Sequence, residues 1–408
     1  MDSSTALLKY GNSLLSIKVP SGTSRPEGTD PAKEVSKDSF TGALVQMIPP
    51  YKGGFLTVVV SDKTRLCGYD EYLPCLTGAA ALKGYPDSRV QFLIAYGTHP
   101  PQTDEESLRA YGNTFRKYRF TGHNCDDDEQ MVQIGTTTFG TRVIVRRELV
   151  ESDAVILFGA LSHHYFAGYG GGRKLIFPGL AARESIYYNH SLFIDFENNR
   201  LHPGCRPGVL EGNPVAEDLS EADAFFPEKI IISGILNRKG EVAQLITAGN
   251  YKEFTEGCAL YDSFYRSSDN VRFDLVVASA GGYPKDINLI QAHKAIDNTA
   301  SFVRDGGTLV IFAECADGTG SRSFEKMFDK SPGELFAALK CHYSGNGGTA
   351  LALLGKSSRI KIFMVTSLDE HLCGKTGIRK IGISEAESII ASEKGSVALI
   401  ENGSIIYR

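Results

Sequence analysis

Polar and basic side chains follow several predicted strands of this chain, at the points where the strands end. Asp62 and Arg65 follow one β-branched run, and His99 follows the next. A third run leads into Ser162-His163-His164 and then into a glycine-rich stretch that ends at Lys174. In open α/β sheets, ligands bind beyond the carboxyl ends of the strands. We therefore predict a composite ligand site to which several strand ends contribute.

A fourth strand end carries Gly281-Gly282-Tyr283-Pro284-Lys285-Asp286, and a predicted helix with Gln291 and Lys294 follows it. These two residues are three apart, so they share one helix face. Taken singly, each candidate has an ordinary explanation, such as a turn-capping carboxylate, a structural histidine or a solvated helix face. Their joint appearance at strand ends favours an enzyme, but the residues alone leave its reaction open.

The glycine-rich stretch is not a phosphate-binding loop of the Walker type. Such a loop needs Ser or Thr after its lysine, whereas Leu175 follows Lys174. Gly171 and Gly172 still allow the backbone to approach a ligand closely. The basic pair Arg173-Lys174 beside them suits an anionic cofactor.

The neighbouring histidines His163 and His164 cannot both serve one site in an extended chain. Successive side chains of a strand point to opposite faces. At most one of the two is therefore expected to face the shared site.

Short β-branched runs alternate with helical patterns along the chain, which is typical of an α/β protein with mostly parallel strands. The predicted strands are Phe55–Ser61, Arg89–Tyr96, Ala154–Leu161, Lys229–Leu236, Phe273–Ala280, Thr308–Ala313 and Ile360–Thr366. The predicted helices include Asp104–Tyr118, Lys252–Arg266, Ile287–Val303 and Glu385–Glu393.

A length of 408 residues predicts two domains. The polar segment Tyr265–Asn270 gives our boundary, with an N-terminal domain of residues 1–267 and a C-terminal α/β domain of residues 268–408. Site candidates occur in both, so we expect the active site in the interdomain cleft. The segment Ser21–Ser39 is rich in Pro, Gly, Ser and charge, and is predicted to be an exposed loop.

Composition narrows the class of protein. A net charge of −5 gives no reason to expect a nucleic-acid partner. Neither a secretion signal nor an apolar stretch of about 20 residues is present, so we expect a cytoplasmic protein that does not enter a membrane. The eight cysteines include no Cys-x-x-Cys pair, which indicates free thiols.

One longer motif points to a family. The stretch His164-Tyr165-Phe166-Ala167-Gly168-Tyr169-Gly170-Gly171-Gly172-Arg173-Lys174, followed by Phe177-Pro178-Gly179, resembles the nickel-pincer lactate racemase family. The similarity extends from about Asp62 to Lys294. The resemblance implies an isomerase that inverts C2 of a 2-hydroxyacid by reversible hydride transfer, through a 2-oxoacid intermediate.

The resemblance also implies a cofactor, nickel held in a pyridinium-3,5-bisthiocarboxylic acid mononucleotide. By this likeness Lys174 is the covalent anchor, and His190 is the protein ligand of nickel. A neutral imidazole beside soft sulfur donors suits square-planar nickel. Separate enzymes would synthesise this nickel-pincer nucleotide and insert the metal.

Further roles follow from the same likeness, residue by residue. His99 and His164 correspond to the two catalytic histidines, which act as base and acid for the two enantiomers. Asp62, Arg65, Gly171 and Gly172 are expected at the cofactor, with Asp62 holding Arg65 or a cofactor hydroxyl in place. The expected substrate-binding residues are Arg65, Gln291 and Lys294.

Three positions depart from the family pattern: His163, Pro100 and His293. We expect them to touch the substrate pocket, which leaves the identity of the hydroxyacid open. Lactate or a related short hydroxyacid is our first expectation, and a sugar-acid 2-epimerase with the same cofactor is an alternative. The residues also leave open a non-catalytic cofactor-binding homologue and a racemase that uses pyridoxal phosphate on Lys174.

Overall fold

The structure is a computed structural model that describes residues 3–26, 28–226, 228–267 and 271–408. Two mainly parallel sheets with flanking helices dominate these ranges, which confirms the predicted α/β class. None of the helices in the described ranges is long and apolar enough to cross a bilayer. All eight cysteines carry free thiols, as their spacing indicated.

Strands and helices alternate along most of the chain. The strands are β1 Ser3–Tyr10, β2 Ser13–Pro20, β3 Leu56–Ser61, β4 Val90–Ala95, β5 Arg119–Gly122, β6 Met131–Thr136, β7 Arg142–Arg146, β8 Ala154–Ala160, β9 Ser162–His164, β10 Gly168–Gly170, β11 Ile194–Asp195, β12 Arg200–Leu201, β13 Ile230–Leu236, β14 Val242–Ala248, β15 Phe273–Ser279, β16 Val303–Phe312, β17 Lys361–Val365, β18 Ile378–Ile381 and β19 Val397–Ile400. The α-helices are α1 Lys37–Met47, α2 Tyr69–Leu82, α3 Asp104–Tyr111, α4 Asn113–Lys117, α5 Arg147–Val150, α6 Arg183–Ser191, α7 Pro214–Ala224, α8 Tyr251–Tyr265, α9 Leu289–Ala300, α10 Arg322–Met327, α11 Pro332–Cys341, α12 Gly347–Arg359, α13 Glu370–Lys375 and α14 Ile383–Ser392.

The first sheet has the order β14-β13-β8-β3-β4-β5, and its pairs are parallel except β13 with β14. The chain adds β4 on one side of β3 and β8 on the other, so the strand order reverses between β3 and β8. A ligand crevice is expected at the carboxyl ends of such a pair of strands. Every residue of β3 is buried, as is typical of a parallel strand covered on both faces.

The second sheet has the order β18-β17-β16-β15-β19 and is parallel throughout. Its strand order reverses between β15 and β19. The loop of residues 281–286 begins just after β15, so it lies at the equivalent edge of this sheet. Helix α9 follows that loop and buries one face in the core beneath the sheet.

The N-terminal hairpin of β1 and β2 packs on the second sheet, although it begins the chain. Leu8 and Ile17 are fully buried in a cluster that includes Leu275 and Val277 of β15. The hairpin thus belongs structurally with elements that follow it by more than 250 residues. The proposed domain division stays a prediction, because residues 268–270 lie outside the described residues.

The predicted helix Asp104–Tyr118 is wrong as a single element. It divides into α3 and α4 at Gly112, whose φ of 60° is incompatible with a continuing right-handed helix. The predicted strand Thr308–Ala313 is the second half of the longer β16. The left-handed φ of Gly112 explains the first difference, because the apolar periodicity of the sequence continues across this residue.

Candidate active site

Asp62 lies directly after β3 and is buried. Its Oδ2 atom is 2.6 Å from Nδ1 of His99, and its Oδ1 accepts hydrogen bonds from the backbone N (2.8 Å) and Oγ1 (2.6 Å) of Thr64. Burial favours a raised pKa for this carboxyl, but the hydrogen bond to His99 and the charges of His99 and Arg65 outweigh it. They hold the Asp62 pKa below its usual range.

The Asp62 carboxylate therefore orients the His99 ring and leaves Nε2 as the ring atom available to a ligand. The sequence led us to expect this carboxylate to hold Arg65 or a cofactor hydroxyl. Its oxygens are instead taken by His99 and Thr64. The loop that carries His99 is fixed in turn, because the backbone N of Gly97 donates to the carbonyl of Gly179 at 2.8 Å.

The adjacent histidines after β8 face different ways, as an extended backbone requires. Nε2 of His163 is 2.8 Å from Oδ1 of Asp262, on helix α8. His164 faces the cleft, where burial and then the charges of Lys174, Lys294 and Arg65 lower its pKa well below the usual value. His164 is therefore a neutral imidazole, and its Nδ1 accepts a hydrogen bond from a backbone N–H at 3.3 Å.

Lys174 lies in a single 3₁₀ turn, residues 172–175, after the β9–β10 hairpin. Its Nζ is 5.5 Å from the centroid of the Phe166 ring. Burial and then the charges of Arg65 and Arg173 lower the pKa of Lys174 well below that of a free lysine. A lysine in such surroundings has access to the neutral amine, which is its nucleophilic form.

The glycines of this turn are required by the protein itself. Gly171 has φ of 78°, and a Cβ there would lie 2.6 Å from the carbonyl oxygen of Ala160. A Cβ on Gly172 would lie 2.5 Å from the Phe254 ring. Close packing against β8 and α8 thus accounts for both glycines, and their contact with a cofactor stays a prediction.

His190 projects from helix α6 towards Lys174. Its Nδ1 lies 2.7 Å from the carbonyl of Ile186, one turn earlier. Burial, followed by the charge of Lys174, lowers the His190 pKa to about 3, so the ring is neutral. If Nδ1–H donates to that carbonyl, Nε2 keeps a free lone pair, which is the form that binds a metal ion. Within the described ranges, no three His, Cys, Asp or Glu residues gather into a complete ligand set.

Gln291 and Lys294 share a face of α9, as their spacing indicated. Nζ of Lys294 donates to Oε1 of Gln291 at 2.6 Å. Burial and then the charges of Arg65 and Lys285 lower the pKa of Lys294 well below its usual value. Arg65 follows the first sheet and Lys294 follows the second, so the candidate site lies between the two sheets.

Lys285 is a residue of the cleft that our sequence interpretation did not assign to the site. Its side chain reaches solvent, yet desolvation in the cleft and repulsion from Arg65 lower its pKa to about 8. A basic residue directly after a strand at a reversal of strand order was the available signal. The loop is recognisable in the sequence, but the cations that surround Lys285 are not.

Two of the three departures from the family pattern do not touch the cleft, contrary to our expectation. The His163 ring is engaged by Asp262. His293 is fully buried, its ring centroid 5.1 Å from that of Tyr165, because it lies on the core face of α9. Pro100 is exposed beside His99 and remains a candidate for the pocket.

Comparisons with known proteins identify relatives of this chain. A model of the lactate racemase N-terminal domain matches residues 50–202, and one of the lactate racemase C-terminal domain matches residues 268–340. Two curated lactate racemases, from Thermoanaerobacterium thermosaccharolyticum and Lactiplantibacillus plantarum, are each 31% identical to this chain. These alignments cover 68% and 66% of this chain, and 63% and 62% of the two relatives.

Solved structures extend the likeness to nearly the whole chain. The lactate racemase apoprotein from T. thermosaccharolyticum has a TM-score of 0.85 at 26% identity, and the match covers 99% of this chain and 100% of that one. A Thermotoga maritima protein shares the fold, with a TM-score of 0.72 at 16% identity over 93% of this chain and 99% of its own. Both domain models match in the family's order, over more than half of the residues. This chain belongs to the lactate racemase family.

Proposed function

We propose that this chain is a racemase or epimerase that inverts C2 of a 2-hydroxyacid, lactate or a related short hydroxyacid, through a 2-oxoacid. The observation that carries the proposal is one cleft holding two separately oriented histidines, His99 and His164, among cations from both sheets. Inversion through a planar intermediate needs a polar group at the substrate oxygen on each side and a fixed carboxylate. These side chains offer both.

The two histidines would handle the hydroxyl proton. His99 accepts it at Nε2, and the Asp62 carboxylate on Nδ1 stabilises the resulting imidazolium. His164 faces the cleft as a neutral ring. With Nδ1 accepting from the backbone, its Nε2–H is placed to donate a hydrogen bond to the substrate oxygen, and the proton that His99 has taken up is the one returned when the hydroxyl group forms again.

The substrate carboxylate would bind between the sheets. The planar guanidinium of Arg65 suits two carboxylate oxygens, and the Lys294 ammonium adds a point charge. Gln291 holds that ammonium through the 2.6 Å hydrogen bond. Because these groups come from both sheets, binding would draw the cleft walls together and exclude water from the 2-oxoacid.

We propose that the cofactor is the nickel-pincer nucleotide, tethered at Lys174, with His190 as the protein ligand of nickel. When bound, this group supplies a reversible hydride acceptor. The residues fit it: acylation of Lys174 removes a charge from a buried position that Arg65 and Arg173 disfavour, and His190 offers a neutral nitrogen. Maturation by cofactor-synthesis and nickel-inserting enzymes is part of this proposal.

Isotope retention at C2 tests the reaction. We expect the loaded enzyme to racemise 2-deuterolactate with the deuterium kept, and to introduce none from D₂O into unlabelled lactate, because hydride does not exchange with water. Exchange of the label with solvent would contradict hydride transfer and favour proton abstraction, as with pyridoxal phosphate. Enzyme carrying Lys174→Arg is the inactive control.

The choice of substrate needs a panel. Turnover of lactate and 2-hydroxybutyrate, with none of gluconate, supports a short hydroxyacid. The reverse preference would support the sugar-acid 2-epimerase alternative. Absence of turnover by fully loaded protein across the panel would favour a non-catalytic homologue.

A further inference from the structure

Lys285 lies at the edge of the cleft, and its ammonium has no hydrogen bond or ion pair to any of the described residues. Arg65, from the opposite sheet, acts on it by repulsion, and Lys285 acts in the same way on Lys294. The carboxylate that acts on Lys294 is Asp62, whose oxygens are already taken by His99 and Thr64, and the Asp286 carboxylate beside Lys285 is bonded to backbone N–H groups. Three cations that converge at the carboxyl edges of two sheets attract an anionic ligand.

Hydrogen bonds to neighbouring backbone hold the loop that carries Lys285 in place. Asp286 is buried, and its Oδ2 accepts hydrogen bonds from the backbone N of Gly11 at 2.7 Å and of Glu314 at 3.1 Å. The backbone N of Tyr283 donates to the carbonyl of Gly11 at 2.8 Å. The tip of the N-terminal hairpin is therefore bonded to the loop on both sides of Lys285.

The fit between hairpin and loop leaves no space for side chains at two glycines. Gly11 has φ of 52°, and a Cβ there would collide with the Glu314 carboxylate. A Cβ on Gly282 would lie 2.9 Å from both the carbonyl of Gly11 and Cβ of Lys9. Such contact fixes the loop more rigidly than a free surface turn would.

The place of Lys285 in the chain indicates which site residues it neighbours. The loop that carries it connects β15 to α9, the helix of Gln291 and Lys294, and the charge of Lys285 acts on Lys294 while Arg65 acts on it. Lys285 thus lies beside the proposed carboxylate-binding residues Arg65 and Lys294.

We propose that Lys285 is a further substrate-binding residue, whose ammonium joins Arg65 and Lys294 around the anionic oxygens of the substrate, and that the N-terminal hairpin positions it through Asp286. This inference rests on the proposed function. It adds a third cation, held by the far end of the chain, to the expected pair.

Lys285→Gln tests the contact. We expect KM for both lactate enantiomers to rise about tenfold with kcat within about twofold, because a charge-assisted hydrogen bond to bound substrate is lost. The dissociation constant of oxalate, an unreactive dianion, should rise in parallel by titration calorimetry of the loaded protein. Lys285→Arg should restore most of both, and Lys52→Gln, at an exposed lysine, should change neither.

Unchanged KM and oxalate affinity in Lys285→Gln would overturn the proposal. So would loss of the nucleotide adduct from its intact mass, because that places Lys285 at the cofactor. The oxalate dissociation constant can be measured whether or not the protein turns over a substrate. If the loaded wild type binds oxalate but racemises nothing, the proposed function fails and the Lys285 contact is still tested.

A double-mutant cycle tests the positioning role of Asp286. We expect Asp286→Ala to raise KM for lactate several-fold with kcat kept, and to add little when combined with Lys285→Gln, because both act through one ammonium. Asp286→Asn, which keeps an acceptor for the Gly11 amide, should rescue KM. A fall in Tm without any change in KM, or full additivity, would show that the clamp only supports the fold.

Discussion

His99 and His164 reach the cleft from opposite electrostatic surroundings. His99 is hydrogen-bonded to the buried carboxylate of Asp62. His164 is surrounded by the charges of Lys174, Lys294 and Arg65. The hydrogen bond to Asp62 leaves Nε2 of His99 facing the ligand, and the neighbouring cations favour the neutral form of His164. One ring is therefore suited to take a proton while the other holds a hydrogen bond to the substrate oxygen, which is the division that inversion at C2 requires.

Removing either ring should stop interconversion. For His99→Asn and His164→Asn we expect racemisation in both directions to fall by about 100-fold or more, the range for loss of a general acid–base group. Chiral chromatography of each enantiomer's product measures this. His163→Asn is the matched control, since the neighbouring ring contacts Asp262 instead of the cleft. Rapid racemisation by either cleft variant would refute the two-histidine assignment.

Sequence reasoning located the site residues better than it located their partners. The positions of His99, His164, Lys174 and Lys294 at strand ends and on one helix face were readable from spacing. The partner of Asp62 was not, because it comes from the loop after another strand. Lys285 was missed for a similar reason: its significance lies in the charges of the opposite sheet.

At the scale of elements, helix α9 serves the cleft and the core at once. Gln291 and Lys294 occupy one face, while His293 is fully buried on the other with neither ring nitrogen hydrogen-bonded among the described residues. Burial and then the charges of Lys356 and Lys294 lower the His293 pKa well below its usual value. The folded state therefore keeps this ring neutral, at a cost in stability.

His293→Leu should stabilise the protein, and more so in acid. The unfolded chain protonates this histidine below about pH 6.5 and the folded chain does not, so proton binding favours unfolding as the pH falls. We expect a gain of about 1 kcal/mol at pH 8 from losing an unpaired buried group, and a larger gain at pH 5. Calorimetric Tm at both pH values measures it, with exposed His342→Leu as control. A lower Tm at both values would contradict the account.

Element boundaries show what periodicity detects and what it does not. The central strands of the first sheet were predicted within about one residue, because buried parallel strands form continuous apolar runs. In the second sheet β15 was predicted equally closely, but β16 begins five residues before the predicted Thr308. Helix α2 was not predicted, since Pro74 lies inside it and removes a helical donor. The hairpin of β1 and β2 was also missed, because its partner sheet lies at the other end of the sequence.

At the scale of the whole molecule, two parallel sheets present their carboxyl edges to one cleft. The first brings Asp62, His99, His164 and the anchor turn, and the second brings Lys285 and Lys294. The α/β class and the shared cleft were predictable from strand ends in both halves of the sequence. The packing of the N-terminal hairpin on the second sheet was not predictable, because contacts between distant segments leave no local pattern in the sequence.

The central claim is that Lys174 carries a nickel-containing nucleotide. The most direct measurement is intact and peptide mass with nickel analysis, on protein co-expressed with a working cofactor-synthesis pathway. We predict one mononucleotide adduct on the Lys174 peptide and about one nickel per chain, both absent from Lys174→Ala. Nickel, but not the adduct, should be lost from His190→Ala. An unmodified Lys174 without nickel, while a control lactate racemase is loaded in the same cells, would contradict the account.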